Sequence, residues 1–424
     1  KFVIILMEKI LGITTNGQKI FLLQNYMSTN RNLIHLIIVT LLGMGLTMVS
    51  TLILARLLSV DDRGAHQLFI TSVSYAVTFA TGGVGFSFAL SMRNQQYLGW
   101  RKYLIVFLLL ALIASTIATT FFNITTFHLL FVINVLLTAI ITITLEKSKI
   151  DESLKIYRAI NLQQPIFLVF VYGTAYLFWG EQPLEIVIYL LTLYSIIQSI
   201  TCLFYLHKIE SKFKKKENIQ PIERKFFLKT WIKQNLYQTF GATTASIDKF
   251  LIVALLGHYT LGLYTVCITF DALVTKFINM LTDYYYSGLL NNLNRLKTVL
   301  AIIALMSLGA IILVPLLAEP VIKFFFSAKY IEVAPVLIFF VINSIIAGLS
   351  WLFSQNMLIQ GKQVLLFMSQ IISIAVFVSL FYLFKGHQLY GVAYALLGAS
   401  FTRLIISTIY YFKYPIEKYK ILGK

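Results

Sequence analysis

Apolar residues run along this chain in long blocks instead of alternating with polar ones. Twelve stretches carry little or no charge: residues 33–55, 68–92, 103–122, 126–145, 160–179, 184–206, 233–257, 260–283, 298–317, 333–354, 364–384 and 389–412. Each reaches the roughly 18–20 residues that a helix needs to cross a hydrocarbon core about 30 Å thick. A segment in lipid must close its backbone hydrogen bonds internally, which makes helices the expected elements. A β-barrel would instead show alternating segments of about 10 residues. The pattern predicts an all-α polytopic membrane protein with about twelve transmembrane helices.

Composition agrees. The 424 residues are 58% hydrophobic and 12% charged, against about 25% charged in a soluble domain. The net charge of +18 would suggest nucleic acid in a soluble protein, but its placement gives another reading. Of the 35 Lys and Arg residues, 27 fall in loops on one side of the expected spans and 5 (Arg56, Arg63, Lys323, Lys329, Lys385) on the other; Lys249, Lys276 and Arg403 lie inside spans. Retention of positive loops in the cytoplasm then puts both termini on that side. The basic loops are expected to set this topology and attract anionic lipid headgroups. No aromatic-and-basic module accompanies them, so nucleic acid is not an expected partner.

The expected organisation has five parts. Residues 1–32 form a cytoplasmic segment, read as an interfacial helix or as upstream sequence before Met27. Residues 33–207 carry helices 1–6, 208–232 a basic cytoplasmic linker, 233–412 helices 7–12, and 413–424 a cytoplasmic tail. The stretch at 3–13 is too short to span and lacks a small-residue cleavage site. Cys202 and Cys267 fall in separate spans and suggest neither a disulfide framework nor a metal cluster.

An internal repeat sharpens this division. ILARLLSVDDRGAHQLFIT (53–71) aligns without gaps on LIVALLGHYTLGLYTVCIT (251–269), an offset of 198 residues. Leu57 meets Leu255, Leu58 meets Leu256, Gly64 meets Gly262, Ile70 meets Ile268 and Thr71 meets Thr269. Six spans separate the copies, so the two lobes share one orientation and are related by a pseudo-two-fold axis along the membrane normal. Lobes of this kind bind substrate between them and rock about it.

LARLLSVDDRGAHQLF resembles the first-hairpin signature of polysaccharide flippases, the O-antigen and capsule repeat-unit translocases of the multidrug/oligosaccharidyl-lipid/polysaccharide (MOP) exporter superfamily. IDKFLIVALLGHYTLGLY is similar to the signature opening their second half, and SAKYIEVAPVL (327–337) to their segment entering the tenth helix. Two departures occur: His66 stands where an aromatic is usual and Ser327 where Gly is common. The resemblance implies a flippase moving an undecaprenyl-pyrophosphate-linked oligosaccharide from the inner to the outer leaflet of a bacterial plasma membrane, beside polysaccharide polymerase and chain-length machinery. No cofactor is implied beyond a coupling H+ or Na+ ion.

Such a cargo asks for a wet, cationic cavity. Ionisable groups inside spans are costly and usually face a cavity or a partner. Here these are Asp248, Lys249, Asp271, Lys276 and Arg403. Lys249, Lys276 and Arg403 are the candidates for the pyrophosphate and glycan; Asp248 and Asp271 are candidates for ion pairing or ion coupling. With a hairpin expected at His258–Tyr259, Lys249 and Asp271 come within about one helical turn in depth, which suggests an ion pair. Lys276 and Arg403 either meet ligand or extend to the cytoplasmic surface. The first-lobe equivalents of Asp248, Lys249, Asp271 and Lys276 are Ser50, Thr51, Val73 and Thr78, so the charged equipment is expected in the second lobe. Arg56 and Arg63, beside Asp61 and Asp62, read as an outer-loop charge cluster.

Enzyme signatures do not appear. There is no Gly-x-x-x-x-Gly-Lys-Ser/Thr loop and no His-Glu-x-x-His pair. The sequence leaves two alternatives to the flippase reading, a cation-coupled multidrug exporter and a membrane-embedded polymerase or glycosyltransferase.

Overall fold

A computed structural model describes residues 38–97, 100–121, 127–150, 154–214, 220–290 and 295–415. The amino-terminal segment 1–32 and all but the first residues of the tail lie outside this range. The helices, in chain order, are α1 Ile38–Leu57, α2 Val60–Thr81, α3 Val84–Arg93, α4 Trp100–Phe121, α5 His128–Ser148, α6 Lys155–Trp179, α7 Leu184–Lys214, α8 Arg224–Leu290, α9 Leu296–Phe325, α10 Ala334–Ile359, α11 Gln363–Phe384 and α12 Leu389–Lys413. Among the described residues, nine helices are long and apolar enough to cross a membrane, or ten if the α2–α3 pair, bent by 42°, is one span. Eleven of the twelve expected spans fall, in their described residues, on one helix or one arm of α8, and the span expected at 68–92 runs across the break between α2 and α3.

Two breaks organise the bundle. Gly83 adopts φ 78° between α2 and α3, a left-handed conformation that glycine takes without penalty. The carbonyls freed there are satisfied by the Asn235 side chain, whose Nδ2 lies 3.1, 3.1 and 3.2 Å from the oxygens of Thr78, Phe79 and Gly82. The second break is in α8, where Gly257 leaves the helix at φ 87° and ψ 178°. Tyr264 donates to Asp248 at 2.6 Å across sixteen residues, whereas a straight helix would hold them about 24 Å apart. The element is therefore a hairpin of two arms, turning one residue before the expected His258.

The linker is shorter than expected. Helix α7 continues to Lys214 and α8 starts at Arg224, so the positive residues at both ends of 208–232 ride on helical extensions. Between them, strand β2 (Gln220–Pro221) pairs in parallel with β1 (Gln96–Tyr97), with Gln96 opposite Gln220.

The repeat has a direct structural counterpart. A Cβ added at Gly64 would collide with the carbonyl oxygen of His258, and one added at Gly262 with that of Val60. His258 is Val60 shifted by the repeat offset, as Gly262 is Gly64. The first turn of α2 thus crosses the first turn of the second α8 arm on a local two-fold axis, at a separation only glycine permits. This crossing lies at the face opposite the basic loops. Along the rest of α2, the first arm of α8 stays in contact, with Tyr75 and Thr243 joined at 3.1 Å, and the same arm reaches α5, where Gln238 donates to Glu146 at 2.7 Å.

The cores follow the lobes without being confined to them: the carboxy-terminal one takes in Ala55, Val60 and Leu68, and one amino-terminal cluster takes in Phe227 of α8. The carboxy-terminal lobe closes around Tyr264, Tyr285, Phe326, Tyr330 and Phe340. The amino-terminal lobe divides into smaller clusters, one around Phe69, Phe131 and Val135, another around Phe88, Phe107 and Phe227, and a third joining Leu57 and Leu58 to Tyr172. The many exposed aliphatic side chains, such as Leu305, Ile312 and Leu316 on α9, suit lipid contact.

Candidate functional site

Between the lobes lies a cavity of about 710 Å3. Its walls come from α1, the first turns of α2, the first half of α6 and the second arm of α8. Lining positions on α1 run from Val39 to Thr51, a rise of about 18 Å. The chamber therefore extends from the basic face deep into the bundle and stops beneath the glycine crossing.

Three charged side chains line it: Arg63, Arg158 and Lys276. No Asp or Glu is among the lining residues. Neutral polar groups complete the wall, including Thr51, Gln67, Asn161, Gln164 and Thr269. Pro165 sits within α6 and also lines the chamber. A proline there cannot donate to the carbonyl of Asn161, one turn earlier, so that carbonyl lacks its usual helix donor.

Arg63 forms the deep end. It is 5% exposed and its Nε has no hydrogen-bond partner among the described residues. Its position follows from a cap. Ser59 Oγ accepts from the Asp62 amide at 3.1 Å and donates to Asp62 Oδ2 at 2.8 Å, a reciprocal arrangement that starts the helix at Val60. Arg63 is then in the first turn, and Gln67 lies one turn further on the same face. This corrects the outer-loop reading of Arg63: the expected span began at residue 68, eight positions after the helix does. Arg158 was likewise placed in a loop, whereas α6 begins at Lys155.

The five charged candidates separate. Lys276 lines the cavity and is exposed. Lys249 and Arg403 are not among the lining residues. Lys249 pairs with its neighbour Asp248 at 3.2 Å, both side chains being 15% exposed, and also donates to the Ala245 carbonyl at 2.8 Å. Asp248 further accepts from Tyr264, and Asp271 accepts from Ser344 on α10. The expected Lys249–Asp271 ion pair is therefore not formed: Asp248 lies nearer the ammonium, and a hydroxyl satisfies Asp271. Arg403 sits on α12, its Nε buried without a hydrogen-bond partner among the described residues.

The expectation that charged equipment belongs to the second lobe is also corrected. Two of the three cavity cations come from the first lobe. Both lie outside the expected spans, and Arg158 also lies outside the aligned repeat, so neither counted among the intramembrane charges. The capping pattern SVDD was the signal that would have found Arg63.

No protein-family model and no curated protein matches the chain. Among solved structures, the lipid II flippase MurJ in an inward closed conformation aligns with a TM-score of 0.66 at 14% identity, covering 91% of this chain and 88% of that one. A MATE transporter from Vibrio cholerae aligns at 0.54 and 12% identity, covering 93% and 99%. An inward-facing multidrug resistance MATE family transporter of the MOP superfamily aligns at 0.52 and 15% identity, covering 87% and 93%. The chain is a multi-pass membrane protein with the fold of these transporters and flippases.

Proposed function

We propose that this protein is a flippase that carries an undecaprenyl-pyrophosphate-linked oligosaccharide repeat unit from the inner to the outer leaflet of a bacterial plasma membrane, for surface polysaccharide synthesis. The observation that supports this most is the cavity wall, whose charged residues are all cations. A pyrophosphate carries at least two negative charges into a site where water is sparse. Arg offers it a planar fork of donors and Lys a point charge.

The cargo has three parts, and the cavity has a place for each. The pyrophosphate would enter past Lys276 and Arg158 and reach Arg63. The glycan would hydrogen-bond to Gln67, Asn161, Gln164 and the threonines. The polyprenyl tail would stay in lipid beside α1, whose Ile38 and Leu42 are exposed and do not line the cavity. The cavity volume lies within the roughly 300–1,000 Å3 of ligand sites. If positive loops stay in the cytoplasm, the chamber opens to the leaflet where such cargo is made, and rocking of the lobes would present it to the other leaflet. Asp271, held by Ser344 away from the cavity cations, is the carboxylate assigned to ion coupling in this reading.

The MATE proteins share the fold and are named for drug resistance, but the charged residues among the described lining positions are cations, a poor match for a cationic drug. The test is flipping in proteoliposomes. A fluorescent undecaprenyl-pyrophosphate oligosaccharide should cross leaflets with the protein present, and a lipophilic cation such as ethidium should not be exported. Ethidium export without lipid flipping would replace this reading with the drug-exporter one.

A further inference from the structure

Two helices end at the face opposite the basic loops with a cation beside each end. Arg56 lies at the end of α1, and Lys329 lies four residues beyond the end of α9. Neither cation serves its own helix. The Arg56 guanidinium crosses the lobe boundary and donates to the carbonyls of Phe324 and Phe325, the last of α9. Lys329 crosses in the other direction, donating to the carbonyl of Leu58, just past α1, and pairing with Glu181 of the α6–α7 loop at 3.4 Å. The last carbonyls of a helix have no intrahelical partner and carry the negative end of its dipole. Each lobe thus supplies the charge that completes the other lobe's helix terminus.

We propose that Arg56 and Lys329 form a reciprocal latch that holds the lobes shut at this face, over the Gly64–Gly262 crossing, and that the latch must release for the cavity to open on that side. The placement supports this. The partners are backbone carbonyls, which cannot move away without moving their helices. Both cations sit at the edge of the interface, with Lys329 only 26% exposed at its side chain. Beneath them lie Arg63 Nε, both ring nitrogens of His66, His258 Nδ1 and Tyr330 Oη, all buried without a hydrogen-bond partner among the described residues. Such groups favour a state in which water reaches them, so the closed face needs an opposing hold. The proposal does not depend on the cargo.

The test is sided labelling. With Cys202 and Cys267 replaced by Ser, a reporter Ala272→Cys sits in the cavity wall. Sealed vesicles of both orientations are treated with a membrane-impermeant maleimide. With the native latch, the reporter should label from the basic face only. In Arg56→Gln/Lys329→Gln, labelling from the opposite face should rise by about five-fold or more, while Arg56→Lys/Lys329→Arg should stay near the native pattern. Should the double variant fail to insert, each single Gln variant should give a smaller rise of about two-fold. Opposite-face labelling that stays at the native level in an inserted Gln variant overturns the latch.

Discussion

The two lobes spend their charges differently. In the carboxy-terminal lobe, Lys249 is engaged by Asp248 and by a backbone carbonyl, Asp248 by Tyr264, and Asp271 by Ser344. In the amino-terminal lobe, Arg63 has no carboxylate within ion-pair distance among the described residues and turns into the cavity. A buried charge matched by its own lobe contributes to packing and local order. One left unmatched in a polar chamber costs stability until a ligand of opposite sign arrives. Unmatched charge alone does not mark the cavity, since Arg403 Nε on α12 is also buried without a partner among the described residues and does not line it; of the carboxy-terminal candidates only Lys276 does.

Substitutions can break or sharpen this contrast. The largest effects should come where the lobes are equivalent. Gly64→Ala and Gly262→Ala each place a methyl group against a partner carbonyl, so both should strongly reduce transport, by similar factors, with insertion unchanged. A large effect at one position and none at the other would deny the two-fold contact. Next, Arg63→Ala should lower the flipping rate of a pyrophosphate-linked lipid by roughly 10- to 100-fold, the worth of charge-assisted hydrogen bonds. Arg63→Lys should recover part of that rate.

Lys276→Ala removes an exposed charge nearer the cavity mouth and should slow flipping by about 3-fold, more at low salt than at high salt. The smallest effect on cargo should come from the matched pair. Lys249→Met should leave the KM for cargo within about two-fold while lowering stability by roughly 3 kcal/mol, read as a depressed Tm, because Asp248 loses its counter-charge. A large rise in KM with unchanged Tm would move Lys249 into the cargo site.

The twelve spans were legible because a lipid-facing helix must be apolar over its whole length, a signal that survives errors of a few residues. The repeat was legible because its glycines occupy a backbone contact that admits no other residue. The cavity was less so. Arg63 and Arg158 lie within the first turns of their helices, where a hydropathy window still averages over the preceding loop. Only the Ser59–Asp62 cap marks the true start of α2. The partners of Lys249 and Asp271 were illegible for another reason. Depth along a hairpin can be counted from sequence, but the rotation that turns Lys249 toward Asp248, and Asp271 toward Ser344 on α10, is set by packing among three helices.

The central claim is that the inter-lobe chamber receives an anionic lipid headgroup through Arg63. Its most direct test is equilibrium binding of a short polyprenyl pyrophosphate to the purified protein and to Arg63→Ala, with the corresponding polyprenyl alcohol and ethidium as controls. Selective binding of the pyrophosphate, weakened by about ten-fold or more in the variant, is the expected result. Equal binding of alcohol and pyrophosphate, or affinity untouched by loss of Arg63, would contradict it.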